Sequence, residues 1–265
     1  VFAWLKRRRR QKILAEPFPP EWEAYIRDNF RQYELLTPEE RERLLRDVQI
    51  FIAEKNWEGV YGLELTDEMR VTIAAQACYL LLGLDLSWYD RTLSILVYPD
   101  AYKVKNQFTI SGGFVIEGRS HRLGEHWYRG PIILSWPDVL AGGRREMRGS
   151  NLVFHEFAHE LDTLNGRTAD GTPPMDTAEH ARRWEAVTSR EYERLQRECA
   201  AGQHTLLDCY GAESRAEFFA VATETFFQEP VRMQRRHEDL YAVLRHFYKQ
   251  DPAARVLRRR QTESD

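Results

Sequence analysis

The five residues His155-Glu156-Phe157-Ala158-His159 constrain this chain more than any other stretch of it. Residues four apart stand one turn apart on the same face of an α-helix. A helix here therefore brings two imidazoles to one place, at the spacing that lets both reach a single tetrahedral ion. Glu156 follows the first histidine directly and can aim at a water on that ion. The H-E-x-x-H arrangement is that of zinc hydrolases, with two histidines as ligands and the glutamate as general base. Asn151-Leu152-Val153-Phe154 runs straight into the motif and is strongly apolar, which places the helix in the core. Two histidines and three acids (Glu156, Glu160 and Asp162) buried there need compensation. A Zn²⁺ ion, one per chain, supplies it.

The bulk properties exclude several alternatives. A chain of 265 residues, 43% of them hydrophobic, can bury a large core. With 38 basic and 41 acidic residues the net charge is -3, so no global field draws the protein to nucleic acid. Cys78, Cys199 and Cys209 are few and widely spaced, with no C-x-x-C pair. That indicates neither a disulfide framework nor a cysteine zinc knuckle, and a reducing cytoplasm is the simplest compartment. The order of Val1–Leu5 (apolar) and Lys6–Lys12 (basic) is the reverse of a secretory signal. Residues 1–16 read as a basic, flexible N-terminal segment. The longest apolar run, over residues 71–86, contains Gln76 and Asp85 and is too short and too polar to span a bilayer.

Along the chain, Thr37-Pro38-Glu39-Glu40 is a capping box with proline at the first helical position. Leu44, Leu45, Val48, Phe51 and Ile52 then share one helical face. A second helix opens near Thr66-Asp67 and is apolar nearly all round, which predicts burial. Strands are expected at Ser94–Tyr98, on either side of Ser111-Gly112-Gly113, and over Gly130–Trp136. The fold class is α+β: mainly helical, with a small, largely antiparallel sheet beside the H-E-x-x-H helix. Residues 17–265 are expected to form one domain, with a helical N-terminal part over 17–90, a catalytic core over 91–230 and a C-terminal helix over 231–255.

A zinc hydrolase site needs a third protein ligand and an open corner for water. The metzincin pattern would put a glycine and a histidine where Asp162 and Asn165 stand, so that class is excluded. A carboxylate from a later helix remains. Glu213, Glu217 and Glu224 lie on one face of a core-like helix, and periodicity alone does not choose among them. Asp162 falls on the same side of its helix as both histidines and can orient an imidazole as an outer carboxylate, a part that Glu213 and Glu224 can also take.

Several segments, in this order, resemble the Mlc titration factor A family of bacterial zinc-dependent peptidases. They are Leu96–Pro99, Gly130–Trp136, Asn151–Gly166 and Tyr210–Val221. The resemblance implies a zincin-like fold with a gluzincin-type site in which Glu217 is the third ligand. It implies that Tyr210, seven residues before Glu217, stabilises the oxyanion. It also implies aminopeptidase-type activity on short peptides and binding to the glucose-system repressor Mlc, with a non-catalytic, repressor-sequestering protein carrying a structural zinc as the alternative. Arg215 stands where that family often has proline, and the basic start is not a family feature.

Overall fold

Several helices start at a side-chain cap. Glu40 N–H donates to the Thr37 hydroxyl at 3.3 Å while Thr37 N–H donates back to the Glu40 carboxylate at 3.0 Å. This closed capping box begins the helix Pro38–Glu54. The computed structural model describes residues 2–100, 107–110, 114–117, 130–146, 149–166 and 168–262. The helices are α1 (Phe2–Ala15), α2 (Pro20–Asn29), α3 (Pro38–Glu54), α4 (Asp67–Leu80), α5 (Trp136–Arg144), α6 (Leu152–Asp162), α7 (Ala178–Ala200), α8 (Arg215–Gln228), α9 (Pro230–Arg236), α10 (Glu238–Tyr248) and α11 (Pro252–Thr262). The strands are β1 (Asn56–Gly59), β2 (Ser94–Tyr98), β3 (Gln107–Ile110), β4 (Phe114–Glu117) and β5 (Ile132–Ser135). The mainly helical α+β class holds. No helix among the described residues is long and apolar enough to cross a membrane.

The sense of the sheet differs from expectation. β1, β2 and β5 form a three-stranded parallel sheet in the order β1-β2-β5, with Trp57 opposite Ile95 and Val97 opposite Leu134. The reason is α4, which lies between β1 and β2 and returns the chain to the same end of the sheet, as a crossover must. Asn56-Trp57-Glu58-Gly59 lacks the β-branched run that marks a strand, so this crossover is hidden in the sequence. The antiparallel texture belongs to a separate hairpin, β3 with β4, which pairs Thr109 with Val115. Its turn, Ser111-Gly112-Gly113, lies outside the described residues.

Two further expectations are corrected. The basic start is helix α1 rather than a frayed segment. Arg10 makes a two-pronged contact with Glu54 of α3 at 2.9 and 2.8 Å, and Lys6 and Arg10 both reach Asp90. The C-terminal region is three helices, not one: Pro230 and Pro252 start the first and the last, and the non-helical backbone of His237 separates the first from the second.

The core gathers around α4, α6 and α8. Residues 71–80 of α4 are all buried, as the all-round apolar pattern predicts. Phe154 of α6 stacks on Tyr79 of α4 at 6.0 Å and tilts against Phe227 of α8 at 5.6 Å. One turn on, Phe157 meets Tyr89 at 4.8 Å and Phe51 at 5.8 Å. Burying each such ring contributes about 1.5–3 kcal/mol. These aromatic contacts hold the apolar face of the motif helix, leaving its histidine face to the site.

Asp47 is buried in α3 with only a 3.7 Å approach to Arg43. Burial outweighs the neighbouring arginines and pushes its carboxyl up to about 6. The folded state thus holds a proton there more tightly than the unfolded chain does, and stability is lost as pH rises from about 4 through about 6. Asp47→Asn should raise unfolding stability by about 1–3 kcal/mol at pH 7. In urea titrations at several pH values the gain should close below about pH 4.

Candidate metal centre

The motif helix α6 is positioned from its N-terminus by a buried polar chain. Asn151 caps the helix, its side-chain oxygen accepting from Phe154 N–H at 2.9 Å. The Asn151 amide donates to Gln76 of α4 at 2.7 Å, and Gln76 donates to the Val139 carbonyl of α5 at 3.1 Å. Close approach is built into this junction. A Cβ on Gly143 would lie 2.3 Å from the Asn29 carbonyl oxygen and 2.9 Å from the Gln76 amide. Glycine is required there for space.

α8 supplies the opposing wall. It packs on α6 and is capped by Ser214, whose hydroxyl accepts from Glu217 N–H at 3.1 Å. Glu217 Oε2 lies 3.0 Å from His155 Nε2 and 3.5 Å from His159 Nε2, and the two Nε2 atoms are 3.2 Å apart. A tetrahedral ion with ligands at about 2.0–2.1 Å has edges of about 3.3–3.4 Å, so the three sides of this triangle match one face of such a tetrahedron. The three side chains are only 11–14% exposed. Glu217 Oε2 is buried without a properly directed hydrogen bond despite its proximity to both rings. That is the arrangement expected of atoms aimed at a common point, not at one another. These residues fit a metal ion.

The charges agree. Burial by itself would raise the Glu217 carboxyl, but the two imidazoles overcome it and hold Glu217 well below the usual carboxylate range. Burial would lower His155, yet the carboxylates of Glu217 and Glu224 raise it far above an ordinary histidine. A group of donors that binds a proton this firmly on its inner side is one that a divalent ion can satisfy.

Glu224 has the clearest outer role. Its Oε1 accepts from His155 Nδ1 at 2.7 Å, while Oε2 accepts from Asn151 N–H at 2.5 Å and Ser150 Oγ at 2.9 Å. A carboxylate only accepts, so Nδ1 carries a proton facing Glu224, and the inward-facing Nε2 is the nitrogen that can give up its proton to an ion. This is the carboxylate–histidine pairing that orients metal ligands. Asp162 Oδ2 accepts from Gly171 N–H at 2.7 Å and secures the loop after the motif helix. Burial pushes the Asp162 carboxyl up to about 6. Glu213 is exposed, between the 3-10 turn Cys209–Ala212 and α8, and is not part of the three-residue cluster. Glu156, between His155 and Phe157 in the chain, lies partly buried. The Tyr210 ring stands beside His155, with centroids 5.8 Å apart. A signal for the part Glu224 plays does exist in the sequence: it falls seven residues after Glu217, two helical turns along the same face.

The turn bearing Tyr210 is tied down in a way the cysteine spacing does not suggest. Cys199, at the end of α7, is disulfide-bonded to Cys209, with Cα atoms 5.7 Å apart. The cysteine spacing indicates no disulfide framework, and this bond corrects that reading; Cys78 alone is free and buried. The two cysteines meet because α7 packs against the turn at 209–212.

A helix carrying two histidines and an acid, faced by a carboxylate from a second helix, defines a metallopeptidase type of centre. Comparison with known proteins agrees. Residues 4–249 match the family described as glucose-regulated metallo-peptidase M90, and the chain belongs to that family. It is 40% identical over 251 residues to an uncharacterized protein of Synechocystis, covering 94% of this chain and 90% of the relative. It is 33% identical to Mlc titration factor A of Escherichia coli O9:H4, covering 86% of each chain. It is 35% identical to Mlc titration factor A of Serratia proteamaculans, covering 84% of this chain and 86% of the relative. Family membership implies a metal cofactor.

Two outcomes follow. Glu224→Gln should weaken metal affinity by about 10–100-fold, measured by competition with a chromophoric chelator, because the imidazole loses its orienting acceptor. Equal affinity would remove Glu224 from the site. Reduction of the Cys199–Cys209 bond, or Cys199→Ser, should lower stability by about 2–3 kcal/mol in urea unfolding, the entropy of releasing so short a loop.

Proposed function

We propose that this chain is a zinc-dependent peptidase that hydrolyses short peptides in the aminopeptidase manner, with a gluzincin-type set of ligands. His155, His159 and Glu217 hold the ion. The reading is carried by one observation, the convergence of Glu217 Oε2 on the two histidine Nε2 atoms at 3.0 and 3.5 Å. When bound, zinc supplies Lewis-acid polarisation and makes water a usable nucleophile near neutral pH. Glu156, next to the ligand His155, accepts a proton from the attacking water and passes one to the leaving amine. The Tyr210 hydroxyl donates to the oxygen that becomes negative as the carbon turns tetrahedral. Its ring position beside His155 supports this role. Asp162 acts further out, holding the loop at Gly171 in place behind the helix. β5 is the end strand in the order β1-β2-β5 and packs against α6, which suits it to receive an extended peptide by strand addition.

A second reading rests on the relatives named Mlc titration factor A at 33–35% identity. It is the binding of a repressor of the Mlc type, with or without catalysis. A cytoplasmic setting goes with both readings. There the Cys199–Cys209 pair would face reducing conditions, and the protein would work with that bond open for part of its life.

Glu156→Gln separates these readings. The variant should retain one zinc per chain by elemental analysis and lose about 10²–10⁴-fold in kcat/KM on short peptides. Undiminished cleavage would remove Glu156 as the base. Unchanged binding of a purified Mlc-type repressor by the same variant would show that sequestration does not need the chemistry.

A further inference from the structure

Outside the centre just described, the described residues contain one other group of three side chains with metal-ligand spacing: Asp176, His180 and His246, whose donor atoms all lie within 4.8 Å of one another. They come from three places. Asp176 precedes the Thr177 cap of α7, His180 is in the first turn of α7, and His246 is in the last turn of α10. His180 Nδ1 and His246 Nε2 are 2.9 Å apart, with ring centroids at 3.8 Å and planes inclined by 57°. Neighbouring ligands at about 2.05 Å around an octahedral or square ion are separated by about 2.9 Å, and around a tetrahedral one by about 3.3 Å. The two nitrogens already stand at such an edge, and an Asp176 oxygen lies within 4.8 Å of both.

The donor set selects the kind of ion. Arg183, Arg245 and Lys249 line the same pocket, with Lys249 Nζ 3.4 Å from Asp176 and Arg245 3.2 Å from Asp251. A hard cation such as Ca²⁺ or Mg²⁺ needs several oxygen ligands and would find a single carboxylate here; the positive rim opposes every dication alike, so the donor set decides. An imidazole pair binds instead through nitrogen lone pairs, which favour Zn²⁺, Ni²⁺ or Cu²⁺. We propose that Asp176, His180 and His246 form a second, structural site for a borderline transition-metal ion, which clamps the start of α7 to the end of α10. Lys249 swings away from Asp176 when the ion enters.

The clamp is connected to the loop behind the motif helix. Trp184 lies in the same pocket, one turn after His180, and its ring packs on Phe247 at 5.7 Å. Its indole N–H donates to the Gly171 carbonyl at 3.0 Å, and Gly171 N–H in turn donates to Asp162 at the end of α6. Fixing α7 against α10 therefore fixes Trp184 and steadies that loop.

Equilibrium dialysis of the full chain against micromolar Zn²⁺, read by elemental analysis, tests this directly. The wild type should hold two ions. His180→Ala/His246→Ala should hold one, and His155→Ala/His159→Ala should also hold one, so failure of either site is seen separately. Ni²⁺ should raise the melting temperature of the His155→Ala/His159→Ala protein by several degrees, and adding His246→Ala should abolish the rise. Equal zinc content in the wild type and His180→Ala/His246→Ala overturns the proposal, as does a His155→Ala/His159→Ala protein that binds no zinc and gains nothing from Ni²⁺.

Discussion

One carboxylate governs the geometry of the centre. Glu224 accepts at once from the backbone N–H that opens α6, from the Ser150 hydroxyl and from His155 Nδ1. The start of a helix carries a partial positive charge and unsatisfied N–H groups, and a buried carboxylate placed there meets both needs. The same contact decides which nitrogen of His155 keeps its proton. Helix placement and ligand tautomer are thus one interaction, and the triangle with His159 and Glu217 depends on it.

Around this interaction the fold is arranged as a support. The apolar face of α6 is held by Phe154 and Phe157 among rings from α3, α4 and α8. Its start is held by Asn151, Gln76 and the tight passage at Gly143. Its end is held by Asp162 through Gly171. The parallel sheet enters through β5, which leads directly into α5 and so sets where the Gln76–Val139 bond can form. A site at the junction of several elements is precise because each of its neighbours is itself packed.

The legible part of this centre is the part written at short range. The H-E-x-x-H spacing and the Asn151 cap are local, and so is the capping box at Thr37; local patterns survive folding. Among Glu213, Glu217 and Glu224 the helical period places all three on one face but does not say which approaches the imidazoles, because that depends on where the helix starts, which leaves Glu213 outside α8, and on the depth at which α8 meets α6. The sense of the sheet was illegible for a related reason. β1 is polar and short, and only the crossover through α4 makes it parallel to β2. The Cys199–Cys209 bond follows from α7 packing on the turn at 209–212, a tertiary contact that cysteine spacing does not encode. Likewise the basic run at the start reads as solvated until Glu54 and Asp90 are seen beside it.

Glu217 and Glu224 sit two turns apart on one continuous helix. The innermost donor and the group that aims its neighbour are therefore carried on a single stiff rod. Any tilt of that rod relative to the histidine-bearing helix withdraws both at the same moment. Such a centre does not wear away one contact at a time; it is either assembled or absent, and mutations far along α8 that alter its seating should behave as though they had struck the ligands themselves.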